Sequence, residues 1–393
     1  MMARQSRRRS LLDESSLFGA PMQVLSATND MVELCDDGGQ RRRCIDYMSA
    51  YGAVNFGHRN PKLEVDVPAD LVGCFYPPEA DTLSQWLCDR LELPEHKVLY
   101  QVGGSFAVST AMALAQHRRP GAVASIRGGF HGLGIDALEV TTTQNELALQ
   151  GAPGVRLSRS ARVLELGEIP KRWDDISAVL FEPVQGARGY VPLDPDWLRA
   201  LEASAHEAGA LVIADEIQAG FYRHGSLSVA RSLGLRPDIV LFSKSLTNGR
   251  FPLSAVVYDQ RLEDSLERNF ALAHTFQTAA LGYYAGMAVA RYIDEHPIDA
   301  LAADVAASLA DVASRLAEEN AATHIHAIGP SLSFELGTGR AHEFVTRCFA
   351  RGLLVFTGGS NGERVRVAPP LTTTTENLAS ACQIMVDVAS NLP

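Results

Sequence analysis

The chain of 393 residues contains 35 basic side chains, of which only Lys62, Lys97, Lys171 and Lys244 are lysines. Lys62 and Lys171 each follow a proline and Lys97 follows Glu95-His96, so these three read as surface turns or strand starts. Lys244 closes the apolar run Ile239-Val240-Leu241-Phe242-Ser243. An ammonium at the end of a buried strand is costly unless it is paired or used, because burial disfavours its charged form. Asp215 and Glu216 stand in the same relation to the run Leu211–Ala214; a carboxylate there serves equally as a helix cap, a salt-bridge partner or a reactive acid. Gly103-Gly104-Ser105 follows the strand pattern Val98–Val102 and opens a helical one. Backbone N–H groups at a helix start can hold a phosphate, with the serine hydroxyl as an added donor, although Gly-Gly-Ser by itself also fits a plain turn. Phe130-His131-Gly132 follows the strand pattern Ala122–Ile126 and offers an aromatic face.

These residue types suit one cofactor. Pyridoxal phosphate needs a lysine for its Schiff base, an acid to keep its pyridine nitrogen protonated and a cradle for its phosphate. In an open parallel sheet all three would meet beyond the carboxyl ends of the strands. The glycine turn is neither G-x-G-x-x-G nor a P-loop, so a nicotinamide dinucleotide or a nucleoside triphosphate is unsupported.

The elements that must position these groups alternate. Strand patterns at Val98–Val102, Ala122–Ile126, Ala178–Phe181, Ala210–Ala214, Ile239–Phe242 and Ser254–Tyr258 are interleaved with helical patterns that include Ser105–His117 and Trp197–Ala208. Asp194-Pro195-Asp196 supplies a start signal for the second helix. Such alternation predicts a mostly parallel sheet with helices on both faces. Before it, residues 1–30 read as a flexible arm, Met31–Pro61 as short strands and turns followed by a Pro- and Gly-punctuated loop to about Pro78, and Thr82–Leu91 as a helix. After it, helical stretches at Leu281–Glu295 and Ala300–Glu319 and strands at Ser331–Glu335 and Arg364–Val367 read as a smaller α+β domain. The expected division is therefore an arm (1–30), the first part of a small domain (31–75), a large cofactor domain (76–279) and the rest of the small domain (280–393).

Composition narrows the class further. Apolar residues make up 46% and charged residues 21%, an ordinary globular balance. The net charge of −11 disfavours a nucleic-acid partner. The runs Arg7–Arg9 and Arg41–Arg43 lie close to acidic residues and read as solvated tail and turn. Leu11-Leu12-Asp13-Glu14 is no apolar signal region. No apolar run approaches the roughly 18 residues of a membrane span. Six scattered cysteines without a C-x-x-C pair argue for reduced thiols in a cytoplasmic protein, with no structural metal.

From about Met31 to Leu378 the sequence resembles the class III (ω-) aminotransferases of the fold type I pyridoxal-phosphate enzymes. The blocks that carry the resemblance are Phe181-Glu182-Pro183-Val184-Gln185-Gly186, Ala214-Asp215-Glu216-Ile217-Gln218-Ala219-Gly220 and Pro237-Asp238-Ile239-Val240 leading to Ser243-Lys244-Ser245. Weaker support comes from Asn55–Pro61, His274-Thr275-Phe276 and Arg366–Leu371. The wording leans towards the diaminobutyrate and ornithine branch. The resemblance implies a seven-stranded large-domain sheet and a homodimer with shared active sites. It implies amino transfer between a small amino acid or diamino acid and a 2-oxo acid such as 2-oxoglutarate.

It also implies roles. Lys244 is similar to the Schiff-base lysine that shuttles the substrate proton, and Asp215 to the partner of the pyridine nitrogen. Gln218 is similar to the residue on the cofactor's phenolic oxygen. Gly104 and Ser105 match the phosphate turn, and Phe130, with His131 beside it, the aromatic against the ring. Thr275 resembles a threonine offered to the neighbouring subunit's phosphate. Arg366 resembles the clamp on a substrate carboxylate, Glu182 the glutamate that neutralises this arginine in some members, and Tyr51 a substrate-pocket tyrosine. Phe106, Arg188, Tyr222, His224 and Asn248 depart from the family's usual residues around the pocket. Another reaction type on the same cofactor (aminomutase, decarboxylase, lyase or carbon–carbon bond formation) therefore stands beside transamination as an expectation.

Overall fold

The computed structural model describes residue 18 and residues 21–143, 161–265 and 272–392. Its strands in chain order begin with β1 (Met22–Thr28), β2 (Met31–Asp36), β3 (Arg41–Asp46), β4 (His96–Val102), β5 (Ala122–Ile126) and β6 (Arg162–Leu164). They continue with β7 (Ile176–Phe181), β8 (Val184–Gln185), β9 (Val191–Pro192), β10 (Leu211–Asp215), β11 (Ile239–Phe242) and β12 (Leu253–Asp259). The last five are β13 (Thr323–Ala327), β14 (Leu332–Glu335), β15 (Leu353–Leu354), β16 (Phe356–Gly358) and β17 (Arg364–Val367).

Seven strands form the large sheet in the order β4-β12-β11-β10-β7-β5-β6. Only β12 runs against the rest, antiparallel to both β11 and β4. The other neighbours pair in parallel. Every residue of β7, β10 and β11 is buried, which is why these strands read as unbroken apolar runs and not as alternating ones. One face packs Ala107, Val108 and Ala111 of the helix Gly104–Arg118 against Leu180, Ile213 and Leu241. The other packs Leu198, Leu201 and Ala205 of the helix Pro195–Glu207 against Val179, Phe181 and Val212. That helix starts as its sequence says, with Pro195 in its first turn and Asp194 accepting the N–H of Trp197 at 2.7 Å.

Two smaller sheets flank the large one. β1, β2 and β3 form a meander whose last strand pairs in parallel with β15, joining the N-terminal segment to the C-terminal one. β13, β14, β17 and β16 form an antiparallel sheet over a core that takes Val305, Leu309 and Val312 from the helix Ile298–Glu318 and Met385 and Val388 from the helix Thr375–Ser390.

The structure departs from the sequence expectations at the periphery. The expected arm is shorter on its described side, because Met22–Thr28 is a strand paired with β2. Arg7–Arg9 and Leu11–Glu14 lie outside the described residues. The helices Arg340–Ala350 and Thr375–Ser390 were not expected. The first nevertheless buries Ala341, Phe344, Val345 and Cys348 at the three- and four-residue spacing of an amphipathic helix. Among the described residues no helix is long and apolar enough to cross a membrane, and no cluster of His, Cys, Asp or Glu could hold a metal. All six cysteines are free.

Candidate active site

Apart from Thr275, the expected residues come together beyond the carboxyl ends of β5, β7, β10 and β11. β11 ends in Phe242, and the chain then folds into the 3-10 turn Lys244–Thr247, with Lys244 itself at φ +43°. A lysine in the left-handed region is uncommon and is held here by the turn that aims it into the cleft. Burial pushes its ammonium down to about 8, the Glu182 and Asp215 carboxylates pull it back up, and Arg366 adds to the lowering. The amine therefore stays within reach of its neutral form near neutral pH.

Asp215 is the last residue of β10 and is buried. Its Oδ2 lies 2.7 Å from His131 Nδ1, and its Oδ1 accepts the N–H of Ile217 at 3.0 Å. His131 is fixed in turn by its own N–H, which donates to Thr141 Oγ1 at 2.9 Å. The other ring nitrogen, His131 Nε2, is buried without a hydrogen-bond partner. Glu182 follows β7, and both its oxygens are engaged by backbone: Oε1 by Phe130 N–H at 2.8 Å and Oε2 by Gly186 N–H at 3.1 Å. Burial raises this carboxyl to about 7, opposed by His131 and reinforced by Asp215. Glu182 thus staples two loops, and it reaches Arg366 through Gly186, whose carbonyl accepts from Arg366 Nη1 at 3.0 Å. Glu182 and Arg366 are thus linked through the Gly186 peptide. A buried carboxylate is satisfied more cheaply by two fixed N–H groups than by one long side chain.

The glycine turn has the geometry of an anion cradle. Gly103, at φ +93°, precedes the helix Gly104–Arg118, whose first turn has no side-chain cap. Gly132, at φ +123°, faces it so closely that a Cβ there would lie 2.2 Å from Ser105 Oγ. Only glycine leaves this space open. Phe130 is half-buried beside it. On the far side, Gln218 donates from Nε2 to Tyr51 O at 2.8 Å, and its Oε1 lies so close to Gly186 that a Cβ there would be 1.6 Å away.

Arg366, on β17, is buried and donates from Nε and Nη2 to Thr357 O at 3.0 and 2.8 Å. Its guanidinium lies 4.2 Å from the centroid of Phe356, and Phe356 meets the Tyr51 ring edge-on at 5.5 Å. Thr275 stands apart: it is exposed, in the 3-10 turn Thr275–Thr278, next to His274, which touches Phe106. Sequence reasoning missed Phe356, Thr357 and Ser245. Gly358 was the available signal, since a Cβ there would lie 2.5 Å from Arg366 Nε.

A seven-stranded sheet with one antiparallel strand, a lysine and an aspartate at the ends of adjacent parallel strands, and an open glycine cradle define a fold type I pyridoxal-phosphate enzyme. The chain belongs to the class III aminotransferase family, whose profile matches residues 20–389. It is similar to the putrescine aminotransferase of Pectobacterium atrosepticum, with 27% identity over 401 residues covering 95% of this chain and 83% of that protein. The ornithine aminotransferase of Toxoplasma gondii has the same fold, with a TM-score of 0.83 at 20% identity over 94% of this chain and 90% of that one. So does an amine transaminase from an uncultivated Pseudomonas species, with a TM-score of 0.81 at 22% identity over 98% and 97%. The protein is a pyridoxal-phosphate-dependent aminotransferase. The open Gly132–Ser105 cradle, the partnerless nitrogen of His131 and the donor set of Lys244 and Asp215 fit that cofactor.

Proposed function

We propose that this aminotransferase moves an amino group between a small amino acid or diamino acid and a 2-oxo acid such as 2-oxoglutarate. The observation that carries the reading is the placement of Asp215 and Lys244 at the ends of the adjacent parallel strands β10 and β11, with the Glu182 carboxylate joined to the Arg366 guanidinium through the Gly186 peptide. Bound pyridoxal phosphate supplies the electron sink for amino transfer. Lys244 Nζ would hold the cofactor and, with its charged form disfavoured by burial, would take and return the substrate proton. Asp215, oriented by His131, would pair with the pyridine nitrogen. Gly104 and Ser105 would hold the phosphate, with Phe130 available to the ring and Gln218 to the phenolic oxygen. Arg366 grips a substrate carboxylate as a planar two-pronged donor, with Tyr51 lining the same pocket.

The reading extends to assembly. Exposed apolar side chains lie on the segments that meet at the cradle: Phe106, Leu133, Ile135 and Phe276 are each at least half exposed. Phe106 touches His274, and Gly132 and Gly134 lie against Ser105, so these residues ring one opening. Apolar surface of this kind marks a protein interface, and an isologous homodimer would bring Thr275 of each copy to the other's phosphate site. Residues 31–75 and 280–393 would form the small domain and 76–279 the large one, a division supported by the pairing of β3 with β15. Six free thiols support a cytoplasmic setting.

The test is a panel of amino donors against the cofactor-loaded enzyme, read by visible absorbance. Glutamate and one diamino or ω-amino donor should each convert the cofactor to its pyridoxamine form, and 2-oxoglutarate should reverse the change. Absence of conversion with every donor, or release of another product without it, would replace transamination by a different reaction of the same cofactor. Light scattering of the purified protein decides the dimer.

A further inference from the structure

The turn that carries Lys244 ends on Asn248, at φ +50°, whose N–H donates to Ser245 O at 3.1 Å. Left-handed backbone of this kind suits glycine, and asparagine is among the few other residues that visit it routinely. Glycine alone would meet the backbone requirement, so the asparagine side chain has a separate use. It is buried. Its Oδ1 accepts the N–H of Phe56 and its Nδ2 donates to the carbonyl of Gly57, each at 2.9 Å. One partner can only donate and the other only accept, so the two contacts fix which end of the amide is the oxygen.

What the amide grips cannot follow the turn. Phe56 is fully buried in the core. Gly57, at φ +83°, is so enclosed that a Cβ there would lie 2.6 Å from both Asn29 Oδ1 and Thr372 Oγ1. Asn55 O accepts the N–H of Leu371 at 2.8 Å, and the Asn55 side chain receives Arg223 Nη2. Residues 55–57 are thus pinned by parts of the chain far from the lysine turn in sequence.

The start of the turn has anchors of its own. Ser243 Oγ donates to Leu253 O at 3.1 Å, and Ser245 Oγ donates to Gly52 O at 2.8 Å. Gly52 closes a left-handed stretch, Ser49–Gly52, with φ of 45°, 48°, 58° and 80°. Thr247 Oγ1 bonds Phe251 within the same loop, so it does not fix the loop relative to its surroundings. Asn248 supplies that tie at the far end. The tie matters because Lys244 sits at φ +43°, against the preference of a residue with a Cβ. A disfavoured backbone persists where its surroundings over-determine it.

We propose that Asn248 is a positioning residue for Lys244: its amide ties the end of the lysine turn to the Phe56–Gly57 backbone and so holds the amine inside the cleft. The proposal rests on the assignment of Lys244 as the lysine that binds the cofactor. Held there, the amine faces the Glu182 and Asp215 carboxylates and the Arg366 guanidinium, and burial lowers it to about 8. A slack turn would let water reach the ammonium and move the amine back up towards a solvated lysine.

Asn248→Gly removes the amide and keeps a residue at ease in the left-handed region. The full-length enzyme is freed of cofactor, and its Schiff-base formation with added pyridoxal phosphate is followed by absorbance across a pH series. In that step the free amine attacks the aldehyde carbon, a C=N bond forms and water leaves, so the profile reports the amine's protonation. Asn248→Gly is expected to shift the profile to higher pH and to slow the reaction several-fold at pH 7. In the loaded enzyme kcat should fall several-fold with KM little changed. Ser177→Ala is the destabilised control, since it loses a buried bond to Ala122 O (3.0 Å) at the opposite end of β7; it should lower the melting midpoint and leave both readouts alone. If Asn248→Gly does not fold, Asn248→Asp replaces it, keeping the bond from Phe56; its added charge moves the amine the same way, so it is judged by kcat against KM. A lowered midpoint with wild-type profile and kcat overturns the proposal and leaves Asn248 a purely structural bond, as does an equal shift in Ser177→Ala. Borohydride reduction of the wild type followed by peptide mapping separates the two assignments. Cofactor on Lys244 confines any such failure to Asn248, whereas cofactor on another lysine overturns the Lys244 assignment and this proposal with it.

Discussion

Arg366→Ala removes a guanidinium that braces the pocket as well as lining it. Its Nε and Nη2 donate to Thr357 O at 3.0 and 2.8 Å, its Nη1 to Gly186 O at 3.0 Å, and its plane lies 4.2 Å from the Phe356 centroid. Hydrogen bonds from a charged group contribute about 1.5–3 kcal/mol each, and a desolvated cation–π contact about 2 kcal/mol. The arginine's own desolvation offsets part of that sum, so the net loss of stability is about 2–4 kcal/mol. The thermal midpoint should accordingly fall by several degrees. A substrate carboxylate loses a charge-assisted pair worth about 3 kcal/mol, or a factor of about 150 in affinity. The assay is a melting curve together with KM for 2-oxoglutarate and for an amine without a carboxylate. The expected pattern is a KM raised for the oxo acid, little changed for the amine, and intact cofactor loading. A fall in stability with an unchanged KM for 2-oxoglutarate would leave Arg366 as a brace between Gly186 and Thr357 and remove it from the substrate site.

Three further outcomes are expected. Lys244→Ala should abolish turnover and covalent cofactor attachment while the fold survives, because the cradle and Asp215 do not depend on the amine; normal turnover would refute the central assignment. Gly132→Ala should empty the enzyme of cofactor, since its Cβ would lie 2.2 Å from Ser105 Oγ at a φ of +123°; cofactor content by absorbance is the readout, and full occupancy would displace the phosphate from this cradle. Glu216 is buried against Ser228 Oγ and the N–H groups of Val229 and Ala230, and burial raises its carboxyl from 4.5 to about 7. A raised carboxyl stabilises the fold below pH 4.5 and loses that contribution as pH rises through 7. Relative to Glu216→Gln, the wild type should therefore lose about 3 kcal/mol between those limits, measurable by denaturant titration at a series of pH values; a constant difference would refute the burial argument.

The anchors of the site were legible because they sit at ends of elements whose identity is local. Lys244 and Asp215 each follow an apolar run, and a strand buried on both faces reads as one; Glu182 was reached through the family resemblance. Gly103-Gly104-Ser105 and Asp194-Pro195 carry their turn and cap signals within a few residues. The small sheets were less legible. β1 is mostly exposed and β15 and β16 are two and three residues long, so their periodicity is too short to show and their pairing is decided by distant partners.

What only the tertiary structure decided is where side chains go once the ends have met. The sequence contains Glu182 and Arg366, but only the approach of the Gly186 loop turns one to its N–H and the other to its carbonyl. It contains Ser49-Ala50-Tyr51-Gly52, and no local preference would wind three Cβ-bearing residues to the left; Asp46, Gln218 and Ser245, from three separate elements, do so. The order of strands fixes which chemistry is brought together, because it depends on buried apolar surface that each segment carries in itself. The orientation of each polar group is fixed later, by which donors and acceptors the packed elements leave within about 3 Å of it.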